Sequence, residues 1–170
     1  MEKTLKVLNE LEKRGIIERY AIGGGIAALF YTEPFLTYDM DVFVFLSTRQ
    51  SKLVLLSPIY NYLREKGYRE DKEHVIVEGI PVQFIPAYNP LIEEALEKAR
   101  EIKYKRVKTR VLQPEYLLAI MLQTDRPKDR ARITLFLEEA KMDQSGLARI
   151  IKRHKMSEKW RRFRKQVYEA

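Results

Sequence analysis

The sequence predicts an α+β fold in which a mixed β-sheet flanked by helices is followed by a C-terminal helical part. Short apolar runs typical of strands alternate with helical patterns as far as Leu112, whereas the chain after Pro114 has helical periodicity throughout. The 170 residues, 45% of them hydrophobic, are enough to bury a core without disulfides. We therefore expect an α/β core at residues 1–112 and a helical region packed on it at residues 113–170.

Composition excludes several classes of protein. The chain has no cysteine, which excludes disulfide scaffolds, thiol nucleophiles and cysteine-bound zinc. Its first residues lack the apolar segment of a secretory signal. The longest charge-free apolar stretch, residues 20–32, is shorter than the roughly 20 residues that a membrane span needs. We expect a soluble, cytoplasmic protein with no membrane partner.

The first elements follow from apolar spacing and glycines. A helix with three leucines on one side opens the chain and can end at Gly15. An apolar strand at residues 20–22 then runs into three consecutive glycines and a small-residue helix at residues 26–31. The strand at residues 39–46 is mostly apolar after its acidic start, which predicts a central position in the sheet.

The rest of the α/β half is predicted from turn and cap residues. Ser57 and Pro58 open a helix that ends near Gly67. The pair Glu78-Gly79 is a plausible two-residue hairpin turn between two apolar strands. Asn89 caps the next helix, and residues 104–112 form another strand.

Four helices are expected after Pro114. Residues 116–122 are apolar on every side, which predicts a buried helix. A second helix spans residues 126–140, with Thr124 or Asp125 available as its cap. Leucine and isoleucines at residues 147–151 mark a third helix, and Ser157 caps a fourth.

The basic charge is concentrated near the C-terminus. The whole chain carries +8, and residues 152–165 alone carry +7, with eight basic residues against Glu158. A basic segment on a nearly neutral body favours a polyanionic partner such as RNA. The alternative is a solvated face on a terminal helix.

A glycine turn and an acidic pair form the most informative pattern. Gly24 and Gly25 follow a strand, and after 13 intervening residues Asp39 and Asp41 begin the next strand. A glycine turn before a helix exposes backbone N–H groups to phosphate, and residues two apart on a strand point to the same side. Two such carboxylates suit divalent ions that bridge a triphosphate. Each feature alone would more simply be a turn or a solvated strand start; their order on one frame favours a site.

Residues 20–31 and 37–44 resemble the nucleotidyltransferase superfold of DNA polymerase β. More narrowly, the chain is similar over roughly residues 20–140 to the AbiEii/MenT-like and minimal nucleotidyltransferases often found in toxin–antitoxin pairs. The resemblance implies transfer of a nucleoside monophosphate from an NTP to a hydroxyl, with Mg²⁺ or Mn²⁺ as cofactor. It assigns the triphosphate to Gly23, Gly24 and Gly25 and the metal to Asp39 and Asp41.

The chain departs from this family where a third carboxylate is expected. The corresponding strand has Gln83, whose amide accepts a hydrogen bond but takes no proton at neutral pH. Glu78 or Asp129 could supply the missing acid, and Gln83 could equally be an ordinary polar strand residue.

A second motif resembles the Lys-Asp motif that opens a C-terminal helix in AbiEii-like proteins. Lys128 could contact a phosphate, Asp129 could complete the site, and Arg132 lies one turn further on the same face. Many relatives carry a lysine on the preceding apolar helix, where this chain has Met121. The alternative is a charged helix start on a solvated loop.

Other charged residues are assigned by pattern alone. Arg106, Lys108 and Arg110 alternate along one predicted strand, so that they could bind a triphosphate or RNA, or protect an exposed edge. His74 and His154 lack any metal-binding spacing, which favours surface positions.

Two functions remain open at this stage. The first is an active nucleotidyltransferase that modifies RNA, such as a tRNA end, or a protein side chain. The second is a catalytically degenerate protein of the same fold that binds nucleotide, RNA or a toxin or antitoxin partner. The glycine turn and the two aspartates favour the enzyme, whereas Gln83 and Met121 favour the binding protein.

Overall fold

A computed structural model describes residues 1–46 and 52–168 of the chain. The described residues form seven strands and eight helices. In chain order these are α1 (Glu2–Lys13), β1 (Arg19–Ile22), α2 (Gly24–Ala28), β2 (Met40–Phe45), α3 (Lys52–Glu65), β3 (Arg69–Asp71), β4 (His74–Val77), β5 (Ile80–Pro86), α4 (Pro90–Glu97), β6 (Arg100–Tyr104), β7 (Val107–Val111), α5 (Pro114–Thr124), α6 (Pro127–Glu139), α7 (Gln144–Arg153) and α8 (Ser157–Tyr168).

All seven strands form one mixed sheet in the order β3-β4-β5-β2-β1-β7-β6. Strand β2 lies at its centre, antiparallel to β1 and parallel to β5, as its apolar sequence predicts. Strand β1 pairs with β7 in parallel, and the outer pairs on both sides are antiparallel. The predicted α+β class with a mixed sheet is confirmed.

The alternation of side chains along β2 separates the core from the site. Met40, Val42 and Val44 are fully buried on one face of the sheet. Asp41 and Phe43 therefore point to the opposite face, where they line a cavity beneath α5. The same alternation holds on β5, where Gln83 and Ile85 reach that cavity.

The turn between β4 and β5 is the predicted two-residue hairpin. Glu78 has a φ of 51° and Gly79 a φ of 82°, as a turn with two left-handed central residues requires. The predicted cap at the start of α4 is also present, because the Asn89 side chain accepts a hydrogen bond from the Ile92 N–H.

The strand predicted at residues 104–112 is confirmed at residues 107–111, which form β7, but its predicted start is wrong. The chain turns at Lys105, whose φ is 53°, and the residues before this turn form a separate strand, β6, which is antiparallel to β7. Arg106 consequently lies in a turn, so it does not share a strand face with Lys108 and Arg110. The missed strand β6 is mostly exposed and highly charged, so it carries little of the apolar pattern on which strand prediction depends.

Three predicted helix starts or ends also differ. The helix predicted from Pro58 begins at Lys52 and continues through the proline with one fewer backbone hydrogen bond. The glycine-turn helix covers only residues 24–28, instead of 26–31. At α6 the N-cap is Arg126, because Asp125 is in the left-handed conformation that ends α5 and Thr124 is still within α5.

Helix α5 is the buried element that connects the sheet to the other C-terminal helices. Eight of its eleven residues are buried, and it contacts α2, α4, α6 and α7. A second connection is made by Glu94 on α4, which accepts hydrogen bonds from Tyr116 on α5 and from His154 after α7. No helix of the described residues has the length and apolar character needed to cross a membrane.

Candidate functional site

The site begins where the glycine turn meets β2. The Gly23 N–H donates to the Asp41 carbonyl oxygen at 2.9 Å, which fixes the turn against the strand. A Cβ atom placed on Gly24 would lie 1.7 Å from Asp41 Oδ2, and Gly24 has a φ of +54°. A side chain at this position would displace the Asp41 carboxylate, and the backbone conformation is one that glycine adopts without strain.

Above this contact lies a cavity of about 260 Å³ between the sheet and helices α5 and α6. The cavity has both polar and apolar lining residues. The polar lining consists of Gly24, Asp41, Gln83, Tyr88, Thr124, Arg126, Asp129 and Arg132. The apolar lining consists of Phe43, Ile85, Leu117, Ile120 and Met121.

Asp41 is an acid in an unusual environment. Burial raises the pKa of its carboxyl, and the negative charge of Asp39 raises it further. Arg126, Lys128 and Arg132 oppose this effect, but the pKa remains above its ordinary value. A carboxylate held in this way gains from a bound cation, because the cation offsets the cost of its charge.

Gln83 occupies the position next to Asp41 on the neighbouring strand. The register of β2 and β5 pairs Asp41 directly with Gln83, and both side chains line the cavity. The structure therefore places an amide beside the acidic pair, at the position where the sequence predicts a substitution. The Gln83 amide adds no charge beside Asp41, but it can donate and accept hydrogen bonds.

Asp129 is fully buried, and its carboxylate already has several donors. It accepts hydrogen bonds from the Thr124 hydroxyl at 2.7 Å, the Arg126 N–H at 3.2 Å and the Arg126 guanidinium at 2.7 Å. Burial alone would raise the pKa of Asp129, but the hydrogen bonds from Arg126 and Thr124 outweigh it and lower the pKa. A carboxylate with a lowered pKa is a weak proton acceptor. Its hydrogen bonds to Arg126 instead suit it to positioning that side chain.

Three cations of α6 and its N-cap surround Asp41. Arg126 and Arg132 line the cavity, and Lys128 is exposed close enough to lower the pKa of Asp41. The Arg132 guanidinium lies 5.3 Å from the centre of the Phe35 ring, and its Nη2 would be 3.3 Å from a Cβ on Gly25. The glycine turn therefore faces positive charge, as an anionic ligand requires.

Thr37 provides an unsatisfied polar atom at the same turn. Its hydroxyl oxygen is buried and has no hydrogen-bond partner among the described residues. It would lie 2.3 Å from a Cβ on Gly25, so the space that glycine leaves open is bordered by a free hydroxyl. A buried hydroxyl without a partner is costly, and a ligand oxygen at the turn would satisfy it.

The acidic pair fits a divalent ion that arrives with a nucleotide. Asp39 immediately precedes β2, and its charge acts on Asp41 two residues later. Within residues 1–46 and 52–168, no three His, Asp or Glu side chains are grouped so that they could hold a metal alone. Mg²⁺ usually binds through one or two carboxylates together with substrate phosphates and water, so Asp39 and Asp41 suffice.

Two of the predicted nucleotide-binding cations lie elsewhere. Arg106 and Lys108 belong to the β6–β7 hairpin and are not among the residues that line the cavity. Lys108 pairs with Glu101, and Arg110 donates to both carboxylate oxygens of Glu12 at 2.9 and 3.0 Å. These contacts link β7 to β6 and to α1.

Glu78 is also outside the cavity. It lies in the hairpin turn, where it accepts a hydrogen bond from the Tyr68 hydroxyl at 2.8 Å. Four residues, including Gly79 of the turn, lie between it and Gln83 along the chain. Its position gives it no access to Asp41.

Sequence patterns missed Arg126, Tyr88 and both histidines. Arg126 has no recognisable pattern of its own, because its position depends on its hydrogen bonds to Asp129. Tyr88 follows β5 and comes close to α5 only in the folded chain, so no local pattern identifies it. The surface positions predicted for the histidines are wrong: the His74 and His154 side chains are 19% and 9% exposed. His154 Nε2 lies 2.7 Å from Glu94 Oε2, and His74 Nε2 lies 3.7 Å from Asp39 Oδ2.

Comparison with solved structures gives a match over nearly the whole chain. The match is an antigenic nucleotidyltransferase-like protein from Paracoccidioides brasiliensis, with a TM-score of 0.59 and 15% sequence identity. The alignment covers 95% of this chain and 93% of that chain. No family model and no curated protein sequence matches the chain. The likeness confirms the predicted nucleotidyltransferase-like fold, and at this identity it concerns the fold alone.

Proposed function

We propose that the protein is a divalent-metal-dependent nucleotidyltransferase that transfers a nucleoside monophosphate from an NTP to a hydroxyl group. The observation that carries the proposal is the contact between Gly24 and Asp41 at the base of a cavity lined by Arg126 and Arg132. The cavity thus combines the open space beside Gly24, the carboxylate of Asp41 and two arginine side chains. A metal–triphosphate needs the same three features.

Each residue has a distinct role in this proposal. The glycine turn admits the triphosphate, Arg126, Lys128 and Arg132 neutralise its phosphates, and Asp39 and Asp41 hold the metal. When bound, the metal supplies charge stabilisation at the phosphates. The acceptor oxygen bonds to the α-phosphorus, the bond to pyrophosphate breaks, and the hydroxyl proton leaves to solvent. The apolar lining residues of the cavity reduce its exposure to water.

The presence of Gln83 instead of an acid predicts a low rate of nucleotidyl transfer. Phosphoryl-type transfer depends mostly on positioning and charge stabilisation, so it does not require a general base. A general base typically contributes roughly 10²–10⁴-fold, and Gln83 cannot provide that contribution. Asp129 does not replace it, because its oxygens already accept from Thr124 and Arg126. We infer a slow enzyme.

The acceptor is proposed from charge. Residues 152–165 carry +7, and α8 presents exposed Arg161, Arg162 and Arg164. This favours RNA, such as a tRNA end, over a protein side chain as the acceptor. The narrower similarity to AbiEii/MenT-like proteins supports a role beside a cognate antitoxin or toxin protein.

The direct test is incubation with each labelled NTP, total tRNA and either Mg²⁺ or Mn²⁺. We expect divalent-dependent label on RNA and its loss in the double variant Asp39→Asn/Asp41→Asn. Calorimetry on the same proteins separates binding from transfer, because metal–NTP binding should also be lost. Equal NTP binding by the double variant would contradict the metal assignment.

The second candidate function is a catalytically degenerate receptor for nucleotide, RNA or a partner protein. Gln83 beside Asp41 is the observation that favours it. Gln83→Asp distinguishes the two functions, since a carboxylate at this position should raise transfer or metal affinity in an otherwise intact site. If both wild type and Gln83→Asp bind nucleotide but label no RNA or protein, the receptor function is the correct one.

A further inference from the structure

His74 lies on the same face of the sheet as the acidic site, two strands away from Asp41. Val75 pairs with Val82, and Val82 pairs with Met40, so these three buried residues form a row on the core face. His74 precedes Val75, and its side chain therefore points to the opposite face, as Asp41 and Gln83 do. The sheet places a histidine at the edge of the proposed metal site.

The imidazole is held close to Asp39 without a hydrogen bond. His74 Nε2 is buried and has no hydrogen-bond partner within the described part of the chain. The nearest carboxylate atom in an ion pair with it is Asp39 Oδ2, at 3.7 Å. This separation is too long for a hydrogen bond, which ends near 3.2 Å for a nitrogen donor.

The distance instead resembles that between two ligands of one metal ion. Ligands at about 2.0–2.2 Å from an ion, at angles of about 90–120°, lie roughly 3.0–3.6 Å apart. A small rotation of either side chain would place His74 Nε2 and Asp39 Oδ2 within this range. An unpaired imidazole nitrogen beside a carboxylate is also a suitable donor set for a first-row transition metal.

We propose that His74 Nε2 and the Asp39 carboxylate jointly bind a divalent first-row transition-metal ion, and that this pair prefers such an ion to Mg²⁺. The inference deepens the proposed function, on which it rests for the metal role of Asp39. Because no larger group of ligands exists among the described residues, water or nucleotide phosphate completes the coordination. Imidazole gives no advantage to Mg²⁺, which is bound mainly by oxygen.

The chain offers a simple spectroscopic test because it has only two histidines. Long-range ¹H–¹⁵N spectra of the tag-free full chain should contain two imidazole spin systems. Zn²⁺ should shift the Nε2 resonance of His74 and fix its Nδ1–H tautomer, whereas Mg²⁺ should leave it unchanged. His154 is the internal control, since its Nε2 faces Glu94 away from the site.

Affinity measurements on variants complete the test. Co²⁺ and Mg²⁺ are titrated against wild type, His74→Gln, His154→Gln and Asp39→Asn. We expect His74→Gln to weaken Co²⁺ binding by about tenfold or more, as loss of groups around a metal commonly does, and to leave Mg²⁺ binding unchanged. His154→Gln should retain wild-type Co²⁺ affinity.

The outcomes separate this inference from the proposed function. If Zn²⁺ leaves the His74 resonance unshifted, or His74→Gln binds Co²⁺ as wild type does, His74 is not a ligand. That result leaves the proposed function intact as long as Asp39→Asn still loses metal–NTP binding. If Asp39→Asn retains all metal binding, both proposals fail. Circular dichroism of His74→Gln checks that the fold is retained.

Discussion

Asp41 and Gly24 depend on each other at the level of single residues. The carboxylate lies where a side chain on Gly24 would be, and the glycine turn is hydrogen-bonded to the Asp41 carbonyl. The folded chain holds this carboxylate at a cost, because burial and Asp39 both raise its pKa. Functional sites commonly keep such a cost because a ligand relieves it.

Asp41→Asn is therefore expected to stabilise the ligand-free protein while removing metal–NTP binding. A raised carboxyl pKa means that the folded chain binds the proton more tightly than the unfolded chain. The cost of ionisation is absent at pH values below the ordinary value of 3.8 and is fully present above the raised pKa. The gain in Tm should therefore grow as pH rises through this window, by roughly 2–4 °C for each kcal/mol relieved.

Thermal melts at pH 3.5 and pH 7 measure this difference. Asp39→Asn is the control, because it removes only the repulsion and leaves Asp41 buried, so its gain should be smaller. A lower Tm for Asp41→Asn at pH 7 would show that the carboxylate contributes net stability without a ligand.

Gly24→Ala should disrupt the site more than an ordinary glycine substitution. The added Cβ would meet Asp41 Oδ2 at 1.7 Å, and alanine is strained at a φ of +54°. Gly79→Ala is a matched control, because Gly79 has a φ of +82° and nothing within 4 Å of an added Cβ. We expect a loss of about 1–2 kcal/mol in the control from backbone strain alone.

Denaturant unfolding and NTP calorimetry compare the two variants. Gly24→Ala should lose more stability than Gly79→Ala and should also lose NTP binding, which the control should retain. Equal destabilisation together with intact binding in both variants would contradict the close contact with Asp41.

At the scale of elements, the junction of α5 and α6 shapes the cavity. Asp125 ends α5 in the left-handed conformation, and Arg126 begins α6 as its N-cap. Asp129, one turn into α6, accepts from Thr124 at the end of α5 and from Arg126. The buried carboxylate thereby links the end of α5 to the start of α6 and contacts Arg126, which lines the cavity. In the Lys-Asp motif that the sequence predicts, the Asp129 oxygens accept from Thr124 and Arg126, which favours a positioning role for this aspartate.

Asp129→Asn should destabilise the protein at neutral pH by about 1–3 kcal/mol, the typical range for hydrogen bonds to a buried charged group. A lowered pKa contributes stability that is present above the ordinary value of 3.8 and is lost as pH falls through the folded-state pKa. The difference between variant and wild type should consequently shrink below about pH 4. Urea unfolding at pH 7 and pH 3 measures it.

The same variant tests the role of Asp129 in transfer. If Asp129 positions Arg126, then Asp129→Asn and Arg126→Gln should weaken NTP binding to a similar extent. A variant that binds NTP normally but transfers no label would instead identify Asp129 as the missing base.

At the scale of the whole molecule, the site lies between the sheet and the helices that follow it. The polar groups of the sheet face α5 and α6, and Glu94 fastens α4 to Tyr116 and His154. All described strands precede Pro114 in the chain, and helices α5 to α8 follow it. Neither part alone encloses the cavity, so its shape depends on their packing. The basic segment at residues 152–165 extends this helical side.

Charge reversal in α8 tests whether this segment binds RNA. The triple variant Arg161→Glu/Arg162→Glu/Arg164→Glu should weaken RNA binding and reduce its salt dependence, because fewer counterions are released. NTP binding should be unaffected, since none of the three residues lines the cavity. Filter binding across a range of salt concentrations measures both quantities.

A charge-matched control comes from the segment around β6. Lys98, Lys103 and Arg106 are exposed, and reversing them changes the net charge by the same amount. RNA affinity should fall less in this control than in the α8 variant. Equal RNA affinity in the α8 variant and the control would indicate that the basic face of α8 is only solvated and binds no RNA.

The sequence by itself determined the architecture and the centre of the site. The mostly apolar sequence of β2 predicted its position in the middle of the sheet, and the spacing of the glycine turn from Asp39 and Asp41 indicated the acidic pair. These features are predictable because they depend on neighbours along the chain. The Glu78-Gly79 turn and the Asn89 cap are local in the same sense.

Only the tertiary structure decided which cations and which other groups lie near Asp39 and Asp41. Arg106 and Lys108 share the charge of Arg126 and Arg132, but the turn at Lys105 directs them to another surface. Asp129 is an acid like Asp41, but packing of α6 on α5 uses its oxygens internally. His74 reaches Asp39 because β4 is aligned with β2 through β5. Contacts between residues distant in sequence arise from packing, which no local pattern encodes.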